Sequence, residues 1–145
     1  MEAQIDINRI RRAFDDIRKS IHRLESLTEM SLEELLSDED SQDIARSRLL
    51  IAIEAAINTC YHIVAKRLKK VPSEYGQCFK ILGEEDLLSP DLAERLILMC
   101  KFRNRLVHLY WDVDYSVVYD IIHHSLPDLK QYIKEIEEDI ERGEL

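Results

Sequence analysis

Residues 7–27 read INRIRRAFDDIRKSIHRLESL, with Ile7, Ile10, Phe14, Ile17, Ile21, Leu24 and Leu27 three or four positions apart. That spacing draws one narrow apolar stripe down a long helix and leaves charge on the other sides. Ser31 and Glu34 then form the Ser-x-x-Glu pattern of a capping box, which opens a short helical turn through Leu36. The acidic run DEDS at 38–41 precedes a second long helix, expected at about 41 to 70. Its middle, LLIAIEAAI at 49–57, is apolar on most sides, so it is the central helix or is covered by a second subunit as well. Residues 73–82 read as a shorter helix, with Gly83 in the left-handed position that closes it. Ser89 and Pro90 supply an N-cap and a proline at the first position of a third long helix, running to about Val107. After a polar break at 112–114, a last helix is expected over about 115–142, kinked at Pro127. The pattern predicts an all-α, up-and-down four-helix bundle with short additional helices, in one domain spanning 1–145.

Composition agrees with a helical reading. The 145 residues include only 3 Gly and 3 Pro, where average usage gives about 10 and about 7, too few for the frequent turns of a sheet protein. Lys and Arg number 20 against 29 Asp and Glu, a net charge of −9. Such a chain has no global attraction for nucleic acid or anionic membranes, so any polyanion site must be local. Cys60, Cys78 and Cys100 are odd in number and widely spaced, which suits reduced thiols and a cytoplasmic location. The polar, acidic start MEAQID is unlike a signal peptide, and the richest apolar run is short and broken by Glu54, so no membrane span is expected.

The chemistry concentrates in KFRNRLVHLYW, residues 101–111, which hold three strong cations, a histidine and two polar-tipped aromatics without one acid. With Leu106, Val107 and Leu109 facing the core, Arg103, Asn104, His108 and Tyr110 remain as polar groups at a helix end. Asn104 and His108 share a face, whereas Arg103 and His108 stand about 140° apart and meet only through the reach of arginine or a loosened helix. A guanidinium binds phosphate through a planar fork and stabilises the extra charge of a pentacoordinate transition state, and a histidine moves a proton near neutral pH. The pair therefore suits cleavage of RNA at its phosphodiester without a metal. Solvated or ion-paired arginines and a histidine complementing the helix dipole are the structural alternative. His123 and His124 are adjacent, point about 100° apart and make a poor metal site.

Arg103-x-x-x-x-His108-x-Tyr110, with Asn104 after the arginine, resembles the signature of HEPN-domain ribonucleases. More narrowly it resembles the HepT-like toxins of HEPN and minimal-nucleotidyltransferase toxin-antitoxin pairs, of the type VII kind. The likeness extends through HIVA at 62–65, VPSEY at 71–75, FKIL at 79–82 and LAERL at 92–96. It implies a homodimeric HEPN bundle with motif residues of both subunits lining one cleft, and no cofactor. Arg103 would hold the scissile phosphate, His108 would transfer protons and Asn104 would orient them. The resemblance also implies a nucleotidyltransferase antitoxin that silences the toxin by attaching AMP to Tyr110, adding bulk and negative charge where RNA must enter. Lys101, where relatives commonly carry a small residue, and Arg105 add positive charge as RNA contacts. On the central helix Glu54, Asn58, His62 and Lys66 recur every four residues, and Glu54, Asn58 and His62 read either as cleft-lining RNA contacts or as a buried hydrogen-bond ladder. The rival function is a non-catalytic, nucleotide- or partner-binding subunit of a nucleotidyltransferase complex.

Overall fold

The computed structural model describes residues 4–108 and 112–145, and within them every regular element is a helix. In chain order these are α1 (Ile7–Glu25), α2 (Leu32–Ser37), α3 (Glu39–Arg67), α4 (Tyr75–Glu84), α5 (Pro90–His108), α6 (Tyr115–His124) and α7 (Leu126–Glu141). The stripe of α1 is buried as its spacing requires, with Ile10, Phe14, Ile17 and Leu24 completely enclosed. Asp6 caps α1 by accepting from the Arg9 N–H at 3.1 Å. At α2 both halves of the capping box are present: Ser31 Oγ accepts from the Glu34 N–H, and Glu34 Oε1 accepts from the Ser31 N–H.

Cross-bundle contacts fix the topology. Asp6 meets His62, Arg103 meets Glu54, Arg95 meets Asp128, and Arg18 meets Glu137. Each neighbouring pair of long helices is thus antiparallel, and α1, α3, α5 and α7 form the expected up-and-down bundle. α3 lies at its centre, where Leu49, Ala52, Ile53, Ala56, Ile57, Cys60, Ile63 and Val64 enter the core. By length and composition α3 would pass for a membrane span, with mean hydropathy 1.3 in its most apolar window, yet 61% of that window is buried inside the bundle. Tyr132 of α7 is fully buried between the edges of Phe14 and Phe79, at centroid distances of 5.9 and 5.8 Å. Its hydroxyl lies 2.7 Å from Thr59 Oγ1, and the Thr59 hydroxyl in turn donates to the Ala56 carbonyl. A buried hydroxyl without such partners would cost about 1 to 3 kcal/mol.

Four local expectations are corrected. Gly83 lies inside α4 rather than beyond its end: a Cβ there would stand 2.9 Å from the Cβ of Ala93, so the residue is small because α4 and α5 touch at that point. The left-handed backbone after α4 falls instead to Asp86, with φ 59°. Ser89 precedes α5 as expected and its carbonyl accepts from the Ala93 N–H, but its hydroxyl and N–H both donate to Glu135 of α7. The last helix is broken, not kinked: Ser125 ends α6, and Pro127 occupies the first turn of a separate helix, α7, where its missing N–H costs nothing. The second long helix also stops at Arg67, before the expected 70, because Lys69 turns left-handed at φ 58° and the Lys70 N–H donates back to the Val64 carbonyl.

Candidate active site

Arg103 projects from α5 towards α3 and α4, and three groups hold its guanidinium. Its Nε donates to Glu54 Oε1 of α3 in a tight ion pair, with side-chain exposures of 15% for the arginine and 33% for the glutamate. Its Nη1 donates to Asn104 Oδ1 at 3.1 Å. The ring of Tyr75, the first residue of α4, lies under the guanidinium carbon at 4.8 Å, and Tyr61 of α3 meets Tyr75 edge to face at 5.8 Å. Glu54 therefore takes the Nε side and leaves hydrogens of both Nη atoms for an incoming anion. This is the orientation a phosphate-binding arginine needs: fixed along its stem, with part of its fork unspent.

His108 is exposed and lies in the last turn of α5, which remains helical to that residue. The helix does not loosen before it, so the angular separation of Arg103 and His108 persists and no hydrogen bond joins them. Leu106, between them, is 1% exposed and anchors this turn in the core. On its backbone side, Arg46 of α3 donates from Nη2 to the Leu106 carbonyl at 3.2 Å. Asn104, Lys101 and Arg105 are exposed, and Arg105 shares the lining of a cavity of 210 Å³ with Asp112 and Asp114. Tyr110 lies outside the described residues.

The polar stripe on α3 divides among three environments. Glu54 faces Arg103, and Asn58 is exposed. His62 is buried at the other end of α1, where its Nε2 accepts the Asp6 N–H at 2.7 Å. Residues four apart drift by about 40° around a helix, so two steps carry the stripe off the face that Glu54 presents. His62 is thus placed apart from Arg103, serving the start of α1. Burial lowers its pKa, the charges of Arg9 and Lys66 lower it further, and only Asp6 opposes them.

Other nucleophilic and metal-binding groups play no visible part. The three cysteines are free and buried. Burial and the neighbouring Cys78 push the Cys100 thiol up to about 12, against the pull of the Arg103 charge. His123 is used structurally, its ring nitrogens lying 2.8 and 3.0 Å from the carbonyls of Tyr119 and Thr28. Among the described residues no three His, Cys, Asp or Glu converge as metal ligands. Sequence reasoning missed the contacts of Tyr75 and Arg46 with the motif helix. Neither belongs to a motif of fixed spacing with Arg103, and only the antiparallel pairing of α3, α4 and α5 brings them there.

Residues 17–136 match the family described as "Ribonuclease HepT-like". The chain is 30% identical to the tRNA nuclease HepT of Aphanizomenon flos-aquae over 83% of its own length and 82% of that protein. It is 28% identical to the mRNA nuclease HepT of Shewanella oneidensis, over 63% and 69% of the two lengths. Its fold superposes on the tri-AMPylated Shewanella oneidensis HEPN toxin, solved in complex with its MNT antitoxin, with a TM-score of 0.81 and 25% identity over 89% of this chain and 96% of that one. With an all-helical bundle, the motif at the end of α5 and a family match that spans most of its length, the chain belongs to the HepT-like ribonuclease family.

Proposed function

We propose that this protein is an endoribonuclease toxin that cuts RNA by acid–base chemistry at Arg103 and His108. The observation that carries this reading is the state of Arg103: stem gripped by Glu54, face against Tyr75, and fork partly free, in an acid-free stretch near a helix end of a chain with net charge −9. The fork binds the scissile phosphate and stabilises the added charge as the ribose 2′-oxygen attacks phosphorus. His108 removes the 2′-hydroxyl proton or delivers one to the departing 5′-oxygen, while Asn104 steadies the guanidinium. The P–O5′ bond breaks as the 2′-O–P bond forms, and no metal is needed to balance the step. Because Arg103 and His108 diverge on one helix, the working site is a cleft between two copies of the chain, each contributing its motif. Lys101, Arg105 and Asn58, all exposed, border the path of the RNA.

The whole chain acts as one domain in the cytoplasm, paired with a minimal nucleotidyltransferase antitoxin. AMP attached by that partner to Tyr110 places a phosphate's negative charge beside the motif and bars RNA by bulk and repulsion. The relationship to a HEPN toxin solved AMPylated beside its MNT antitoxin supports this arrangement.

The test is RNA cleavage by the purified protein in EDTA, with its mass checked for absence of AMP, against Arg103→Ala and His108→Ala variants shown to fold. Cleavage by the wild type and its loss in both variants is the expected result. A wild type that leaves a broad set of RNAs intact would instead point to a non-catalytic subunit of a nucleotidyltransferase complex.

A further inference from the structure

The last turn of an α-helix leaves its carbonyls without intrahelical donors, and they carry the negative end of the helix dipole. In α5 the last described turn is residues 105–108, the same turn that presents His108. Such ends fray unless something outside the helix satisfies them. Here the outside group is Arg46, half-buried on α3, whose Nη2 donates to the Leu106 carbonyl across 60 positions of sequence. Leu106 is thereby held twice: its side chain is packed in the core at 1% exposure, and its backbone oxygen is held by a guanidinium.

The donor's helix matters. α3 also carries Glu54, which fixes the side chain of Arg103. One continuous helix thus holds both members of the Arg-x-x-x-x-His motif, the first through its side chain and the second through the backbone of its turn. The two contacts differ in sign as their targets require, an anion for the guanidinium and a cation for the carbonyl end of the dipole.

We propose that Arg46 is a positioning residue for RNA cleavage, setting the direction in which His108 presents its imidazole by fixing the last turn of α5. The proposal rests on the nuclease reading above. Proton transfer requires the histidine within hydrogen-bond reach of a ribose or leaving oxygen, and a displacement of about 1 Å is enough to cost up to about a hundredfold in rate. Arg46 acts on the backbone two residues before His108, so its loss changes where the imidazole points, while the groups that bind RNA remain. The signature is a fall in turnover without a matching loss of affinity.

The experiment compares wild type with Arg46→Ala and Arg46→Lys as full chains, on a short RNA with one cleavage site. Steady-state kinetics are combined with amide hydrogen exchange over residues 105–108 and the NMR chemical shifts of the His108 ring at fixed pH. In Arg46→Ala, kcat should fall at least about tenfold while KM changes less than about threefold, exchange in the last turn should quicken and the chemical shifts of the His108 ring should change. Lysine, which restores the charge, should recover part of kcat, and added guanidinium ion should do the same for the alanine variant. Unchanged kcat, or a loss confined to KM as for a direct RNA contact, overturns the proposal. If Arg46→Ala does not fold, Arg46→Lys carries the comparison: its single charged nitrogen replaces a fork, so wild-type kcat and exchange in that variant overturn the specific role of the guanidinium. If the wild type cuts no RNA, the nuclease reading fails by itself. Exchange and the ring shifts then still decide the positioning role, since an unaltered last turn in Arg46→Ala would exclude it.

Discussion

Truncating Glu54 to alanine separates the structural from the catalytic work of its ion pair with Arg103. Fully exposed pairs contribute about 0 to 1 kcal/mol, and breaking a fully buried one costs about 3 to 5. With Arg103 15% and Glu54 33% exposed, the pair lies between those limits. The guanidinium left behind keeps Asn104 and the Tyr75 ring. We therefore expect a loss of about 2 kcal/mol for Glu54→Ala and about 1 kcal/mol for Glu54→Gln, which retains an acceptor for Nε. For a chain of this size that corresponds to a melting point lowered by about 6 °C and about 3 °C. Freed at Nε, the arginine no longer presents its fork in one direction, and single-turnover cleavage should fall at least about tenfold in Glu54→Ala, with a smaller loss in Glu54→Gln. Thermal melts by circular dichroism and rapid-quench cleavage below the melting range measure the two effects independently. An alanine variant that melts lower but cuts at the wild-type rate would refute the positioning argument. One that cuts faster would show that the carboxylate shields the guanidinium instead of aiming it.

Three further outcomes follow from geometry. His62 accepts the Asp6 N–H only when neutral at Nε2, and its pKa is lowered in the fold, so on acidification the unfolded chain binds the proton first. Its contribution of about 1 kcal/mol is therefore complete above the ordinary histidine value of about 6.5 and lost as pH falls through the lower folded value. Urea titrations at pH 7.5 and pH 5 should show a steeper loss in wild type than in His62→Gln. Gly83→Ala forces its methyl to within 2.9 Å of the Ala93 Cβ, which should cost about 1 to 3 kcal/mol and be largely repaired by adding Ala93→Gly, as a double-mutant cycle in urea would measure. Tyr132→Phe leaves Thr59 still donating to the Ala56 carbonyl and should cost about 1 kcal/mol, whereas Tyr132→Ala opens a cavity between Phe14 and Phe79 and should cost about 3 to 5 kcal/mol, both readable as shifts in the urea midpoint.

What could be read from the chain alone was what neighbouring residues decide together. The stripe of α1, the box at Ser31 and Glu34, and Pro90 at the head of α5 are local signals, and each sits where its spacing places it. The misread residues answer to distant partners. Gly83 suits a helix stop as well as a close approach, and only Ala93 of the next helix decides between them. Ser89 has the chemistry of a cap, but Glu135 competes for its hydroxyl. The recurrence of Glu54, Asn58 and His62 is genuine, yet the faces they occupy depend on how α1 and α5 wrap α3. The motif at 103–108 is what draws attention to Arg103 and His108, the pair we propose to react; the groups around them, Glu54 at the guanidinium, Tyr75 beneath and Arg46 behind, come from two other helices.

The break at Ser125 also divides the molecule by stability. α6 leans on α2 rather than continuing the line of α7, and those two helices contribute only Leu35, Val118 and Ile122 as fully buried side chains. With so little fully buried apolar area, this outer layer should open at lower cost than the bundle beneath. Its amides should exchange ahead of those of α1, α3 and α7. Opening of that layer would leave Arg103 in the grip of Glu54 and the core of the bundle closed.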